Sequence, residues 1–128
     1  MQILLLEPDV RLGQTYAEAL RSQQHSVVVC TNAQDAVCAA DLQQPELVIM
    51  EIQLTKHSGI EFLYEFRSYP DWQSIPVVIV SRVPAHELAG STDTLHGRLG
   101  VRAYHYKPQT SLRTLLQAVE AAYSTAHS

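Results

Sequence analysis

The chain has 128 residues, which suits one compact domain (residues 1–128) with a single core. A hydrophobic share of 46% excludes disorder, and a net charge of −4 without a Lys/Arg stripe excludes an electrostatic footprint for nucleic acid. No apolar run approaches the ~18 residues of a membrane span, no charged leader precedes the first apolar run, and Cys30 and Cys38 lack metal or redox spacing, so a reduced, cytoplasmic setting is expected.

The first apolar run, Ile3-Leu4-Leu5-Leu6, reads as a strand and ends in an acid, Glu7. Pro8 suits the first turn of a following helix, where its missing N–H is not needed, and helical spacing of Leu12, Tyr16, Ala19 and Leu20 carries that helix over about 10–23. Val27-Val28-Val29-Cys30 is a β-branched strand. Thr31-Asn32 offers a cap for a second helix to about residue 43, and Pro45 stops it.

Residues 47–54 form the stretch around which the chain is organised. Four consecutive apolar residues, Leu47-Val48-Ile49-Met50, run into Glu51, as expected for a strand buried on both faces in a parallel sheet. An ionisable residue at the carboxyl end of such a strand lies where open α/β sheets place their ligand sites. A loop over 53–58 leads to a helix near 60–68 with Ile60, Leu63, Tyr64 and Phe66 as its apolar positions. Pro76-Val77-Val78-Ile79-Val80 is the fourth strand and ends at Ser81.

Residues 82–100 contain Pro84, Gly90, Gly97, Gly100 and the cluster Ser91-Thr92-Asp93-Thr94, so the sequence predicts at most one or two short helical turns there. Residues 101–106 read as a fifth strand followed by Lys107-Pro108, and Leu112, Leu115, Leu116, Val119, Ala122 and Tyr123 mark the clearest helix. Strands alternating with helices predict an α/β domain, a doubly wound five-stranded parallel sheet. Glu7, Glu51, Ser81 and Lys107 would then meet at one edge of the sheet.

This pattern resembles the receiver domain of two-component response regulators along essentially the whole chain, and implies the flavodoxin-like (βα)5 topology. In that family an acidic pair follows strand one, a phospho-accepting aspartate ends strand three and a Ser/Thr ends strand four. A switch aromatic lies in strand five, followed by Lys-Pro. Ser81, Tyr104, Lys107 and Pro108 match the last of these features, and the resemblance implies a cis Lys107–Pro108 bond. Metal-contacting positions would fall on Glu7, Asp9 and Gln53. The departures resemble the degenerate or pseudo-receivers: Glu51 replaces the acceptor, Glu7-Pro8 breaks the acidic pair with Asp9 one position later, Thr55 stands where proline is usual, and the fourth-helix segment is irregular.

The longer side chain of Glu51 moves its carboxylate by roughly 1 Å, a displacement that can cost on the order of a hundredfold in phosphoryl-transfer rate. Magnesium needs several well-placed oxygens, so at most weak binding at Glu7 and Glu51 is expected, and no cofactor. Glu51 could instead reach Lys107 directly, or be only a solvent-facing acid at a vestigial site. The six histidines are dispersed without ligand spacing, no Gly-rich phosphate loop follows strand one, and no nucleophile–base arrangement suggests catalysis. The reading is a non-enzymatic signalling module that binds a protein partner through the surface formed in the family by helix four, strand five and helix five. That surface includes parts of 82–99, Tyr104, Tyr106 and the exposed side of 112–123. The alternatives are a phosphotransfer receiver using Mg²⁺ and a histidine kinase, or a small-molecule sensor with a pocket near 82–100; dimerisation through the output face is a further expectation.

Overall fold

The computed structural model describes residues 1–54, 58–88 and 94–127. Thr55, His57, Gly90 and Ser91 to Asp93, singled out above, lie outside the described residues, as do the side chains of Thr94, Tyr123 and His127.

The chain runs β1 (Gln2–Leu6), α1 (Val10–Ser22), β2 (Ser26–Cys30), α2 (Ala33–Leu42), β3 (Leu47–Met50), α3 (Gly59–Ser68), β4 (Val77–Ser81), β5 (Val101–Tyr106) and α4 (Leu112–His127). The five strands form one parallel sheet in the order β2-β1-β3-β4-β5. Helix α4 is thus the counterpart of a fifth helix. Among the described residues between β4 and β5 there are a 3₁₀ turn at Ala85–Leu88 and a π turn at Thr94–Arg98, as Pro84, Gly97 and Gly100 lead one to expect.

Alternation along the strands sorts side chains into two cores. Leu4, Leu6, Val48, Met50 and Ile79 pack with Phe62, Phe66 and Trp72 on the α2/α3 side. Ile3, Leu5, Ile49, Val78 and Val80 pack with Leu20, Leu115 and Val119 on the α1/α4 side. Both faces of β1, β3 and β4 are therefore apolar, which is why their sequences run without alternation.

Local chemistry sets the helix starts. Asn32 caps α2 by accepting from Asp35 N at 2.8 Å, and Ser58 caps α3 by accepting from Ile60 N. Gly59 follows because a Cβ there would meet Ile52 Cα at 2.6 Å. Pro8, expected in the first turn of α1, precedes it instead: Asp9 is the cap, accepting from Leu12 N at 3.1 Å. A short carboxylate satisfies a free helix N–H better than proline's pre-set φ serves the first turn, so Pro8 stays outside the helix, which begins at Val10.

Candidate functional site

Register brings the strand-end residues together. Leu6 pairs with Met50, so Glu7 and Glu51, each one residue on, lie side by side, with Glu51 N donating to Leu6 O at 3.0 Å. Ser81, the last residue of β4, pairs with Tyr106, so Lys107 leaves β5 at the same edge. The result is a buried triad: Lys107 Nζ donates to Glu7 Oε1 at 2.7 Å and to Glu51 Oε1 at 2.8 Å. The side chains of Glu7, Glu51 and Lys107 are only 3%, 2% and 9% exposed, so these are interior ion pairs rather than surface ones.

Backbone amides complete the carboxylates. Glu51 Oε1 also accepts from Arg82 N and Oε2 from Gln53 N, both at 3.0 Å, while Glu7 Oε2 accepts from Asp9 N. Burial opposes ionisation of Glu51, but Lys107, the Ser81 hydroxyl and these two amides outweigh it and hold the carboxyl below the usual glutamate range. Burial likewise works against the Lys107 ammonium, and its bonds to Glu51 and Glu7 more than compensate, raising its pKa.

Ser81 is fully buried and its Oγ accepts from Val83 N at 3.0 Å. Tyr104 lies half-buried in β5 and donates its hydroxyl to Val83 O at 2.5 Å, tying the strand to the segment after β4. Asp9 is turned away to cap α1, its carboxylate 44% exposed and 3.9 Å from Arg82. Pro108 sits in a 3₁₀ turn at Lys107–Gln109 that is closed by Thr110 N donating to Lys107 O at 3.1 Å. No peptide bond among the described residues is cis, so the expected cis Lys107–Pro108 bond is corrected. A helical turn accepts proline near its start with the ordinary trans bond, and Lys107 reaches both acids from it.

The comparisons with known proteins bear on the family and the fold. A family model described as the response regulator receiver domain matches residues 3–120. The chain belongs to the response regulator receiver domain family. The transcriptional regulatory protein PdtaR of Mycobacterium tuberculosis is 28% identical over 124 residues, which is 96% of this chain but 57% of the relative, so the chain spans little more than half of that protein's length. Among solved structures, a two-component response regulator from Clostridium difficile superposes with a TM-score of 0.85 at 20% identity, covering 100% of this chain and 99% of the other. A chemotaxis response regulator of Vibrio cholerae superposes at 0.83 with 16% identity, covering 94% and 97%. At such identities these structures speak for the shared α/β fold. Receiver domains are signalling modules that communicate with histidine kinases and other proteins.

Magnesium, the family's partner in phosphoryl transfer, does not fit the residues present. A Mg²⁺ ion seeks octahedral oxygen ligands, commonly from carboxylates and waters. Here an ammonium already occupies the space between the two buried carboxylates, and Asp9 serves α1. Among the described residues no group of three His, Cys, Asp or Glu side chains is placed to hold a metal. Among the described residues no helix is long and apolar enough to cross a membrane.

Three contributors to this site were not singled out from the sequence. Tyr16, in the second turn of α1, is 4% exposed; burial raises its hydroxyl pKa, and the charges of Lys107, Glu7 and Glu51 act on it. Its helical spacing marked it only as core. Arg82 and Val83 act through the backbone, one donating to Glu51 and the other bonding Ser81 and Tyr104. Their position directly after Ser81 was the available signal.

Proposed function

We propose that this receiver domain signals by binding another protein, independently of phosphorylation at the acceptor position. The observation that carries the reading is Lys107 Nζ, held at 2.7 and 2.8 Å between Glu7 and Glu51. Glu51, at the acceptor position, spends Oε1 on Lys107 and Arg82 N and holds Oε2 against Gln53 N, so both carboxylate oxygens are fixed by hydrogen bonds. Catalysis of that transfer rests on positioning and on neutralising the phosphoryl charge, and the lysine suited to the second task is already neutralised. Two carboxylates and one ammonium also leave a net negative charge that repels an incoming dianion.

In this reading the internal ion pair takes the place of the lysine–phosphate contact, and the bond from Tyr104 to Val83 keeps β5 and the following segment in one arrangement. The protein partner meets parts of 82–88 and 95–99, Tyr104 and Tyr106 of β5, and the exposed side of α4, where Leu112 is 41% exposed. A cleft of about 780 Å³ between the start of β5 and α4 gives this face relief. The face also suits self-association, and Ser81 acts as a strand-end brace for the Val83 amide rather than as a switch.

Incubation with acetyl phosphate and Mg²⁺, followed by intact-mass spectrometry, tests the reading. The expected result is an unmodified chain under conditions that label a typical receiver. One added phosphoryl group that disappears in Glu51→Gln would overturn it.

A further inference from the structure

At the opposite end of the sheet, beside the start of β5, a second cation lies half-buried. Arg67 of α3 donates from Nε to Leu99 O at 2.8 Å, from Nη1 to Trp72 O at 2.6 Å and from Nη2 to Gly100 O at 3.4 Å. Gly100 has φ +65, and a Cβ there would stand 2.8 Å from Arg67 Nη2, so glycine serves both the turn and the guanidinium. Arg98 projects from the π turn with its guanidinium 5.9 Å from the centre of the Tyr64 ring. Arg102 is close enough for its like charge, after burial, to act on Arg67.

Two of the chain's nine basic residues, Arg67 and Arg98, therefore stand together, with Arg102 close enough for Arg67 to feel its charge, in a chain of net charge −4. None of the three has a carboxylate within ion-pair distance among the described residues. Carbonyl oxygens orient Arg67 but bring no formal negative charge, and its remaining N–H groups stay available. Between Arg67 and Arg98 lies a hollow of about 420 Å³ lined also by Tyr64, Ser68, Gln73 and Leu99. That volume is within the roughly 300–1,000 Å³ of small-molecule clefts.

We propose that this hollow binds the phosphate group of a small molecule, held by Arg67 and Arg98. Guanidinium forks match phosphate oxygens in pairs. A phosphate monoester carries about −1.5 to −2 charges near neutral pH and so answers two guanidiniums without a carboxylate partner better than a carboxylate does. Tyr64, 45% exposed at the rim, offers an aromatic face to the rest of the ligand. The site lies at the far end of β5 from Lys107 and stands independently of the function proposed above.

The test is a titration of ¹⁵N-labelled protein, without Mg²⁺, with inorganic phosphate and separately with AMP, following Gly100 N–H and Arg67 Nε–H. Saturable shifts confined to residues around the hollow are expected, and affinity should fall at least tenfold in Arg98→Ala while its melting temperature stays unchanged. Saturation by inorganic phosphate alone assigns the site to the free ion, and saturation by AMP only assigns it to a monoester; both support the proposal. Shifts that grow linearly, that sodium chloride reproduces, or that survive in Arg98→Ala would overturn it as an adventitious ion only.

Discussion

At the carboxyl ends of the strands Lys107 is enclosed by two carboxylates, whereas at the amino end of β5 Arg67 is enclosed by three carbonyl oxygens. Lys107 is taken out of water and Arg67 is half-buried; both join segments remote in sequence, but only the first is neutralised. A buried ion whose charge is met by carboxylates closes its site to ligands of either sign. One met by dipoles alone is fixed in place and still presents a field. The first arrangement suits a domain held in one state, the second a place where an anion can dock.

Removing Lys107 should produce the largest effect, because it leaves two buried carboxylates facing each other. Lys107→Ala is expected to cost about 3–5 kcal/mol, read as a lowered urea midpoint; an unchanged midpoint would mean that the triad is not the interior ion pair described here. Replacing all three members together (Glu7→Gln, Glu51→Gln, Lys107→Met) should cost much less, since no uncompensated charge remains.

Arg67→Met should come next, at about 2–3 kcal/mol, because carbonyls of Leu99, Trp72 and Gly100 lose their donors while no charge is left unpaired. If Arg67→Met cost as much as Lys107→Ala, the contrast between the two ends would fail.

Acidity separates the ends further. Glu51 has a depressed pKa in the folded state, so its contribution is fully present above the usual glutamate value of about 4.3 and is lost as pH falls through the lower folded value. Lys107 has a raised pKa, so its contribution is present below about 10.4 and is lost only as pH rises through the higher folded value. Chemical denaturation across pH should show a plateau between these limits and an acid decline that Glu51→Gln makes shallower. The smallest effect belongs to Tyr104→Phe, which removes one hydrogen bond to Val83 O and should cost about 0.5–1.5 kcal/mol. Calorimetry at neutral pH can resolve it.

Much of the carboxyl-terminal edge was legible in the sequence because strand ends there coincide with changes in residue type. An apolar run ending in Glu51, another ending in Glu7, and Lys107 directly after the fifth strand mark positions that a parallel sheet must bring to one edge. The irregularity of 82–100 was legible for a similar reason, since Pro84, Gly97 and Gly100 oppose a continuous helix. Asp9 was harder: whether an acid near a strand end faces the site or caps the next helix depends on a single step of backbone around Pro8. The trans bond at Pro108 depended on the turn that Thr110 closes. Arg67 was not readable at all, because an arginine near the end of an amphipathic helix looks solvent-facing until Leu99 and Gly100, far along the chain, are seen to fold over it.

The most direct measurement is a backbone amide NMR spectrum recorded with and without Mg²⁺ and beryllofluoride, a mimic of an acyl phosphate. With Lys107 already held by Glu7 and Glu51, the account predicts no change at Glu51, Ser81, Tyr104 or Lys107. Saturable shifts spreading from Glu51 through Ser81 to Tyr104 would contradict it, because they would show that the ion pair opens to admit the phosphoryl group it is said to replace.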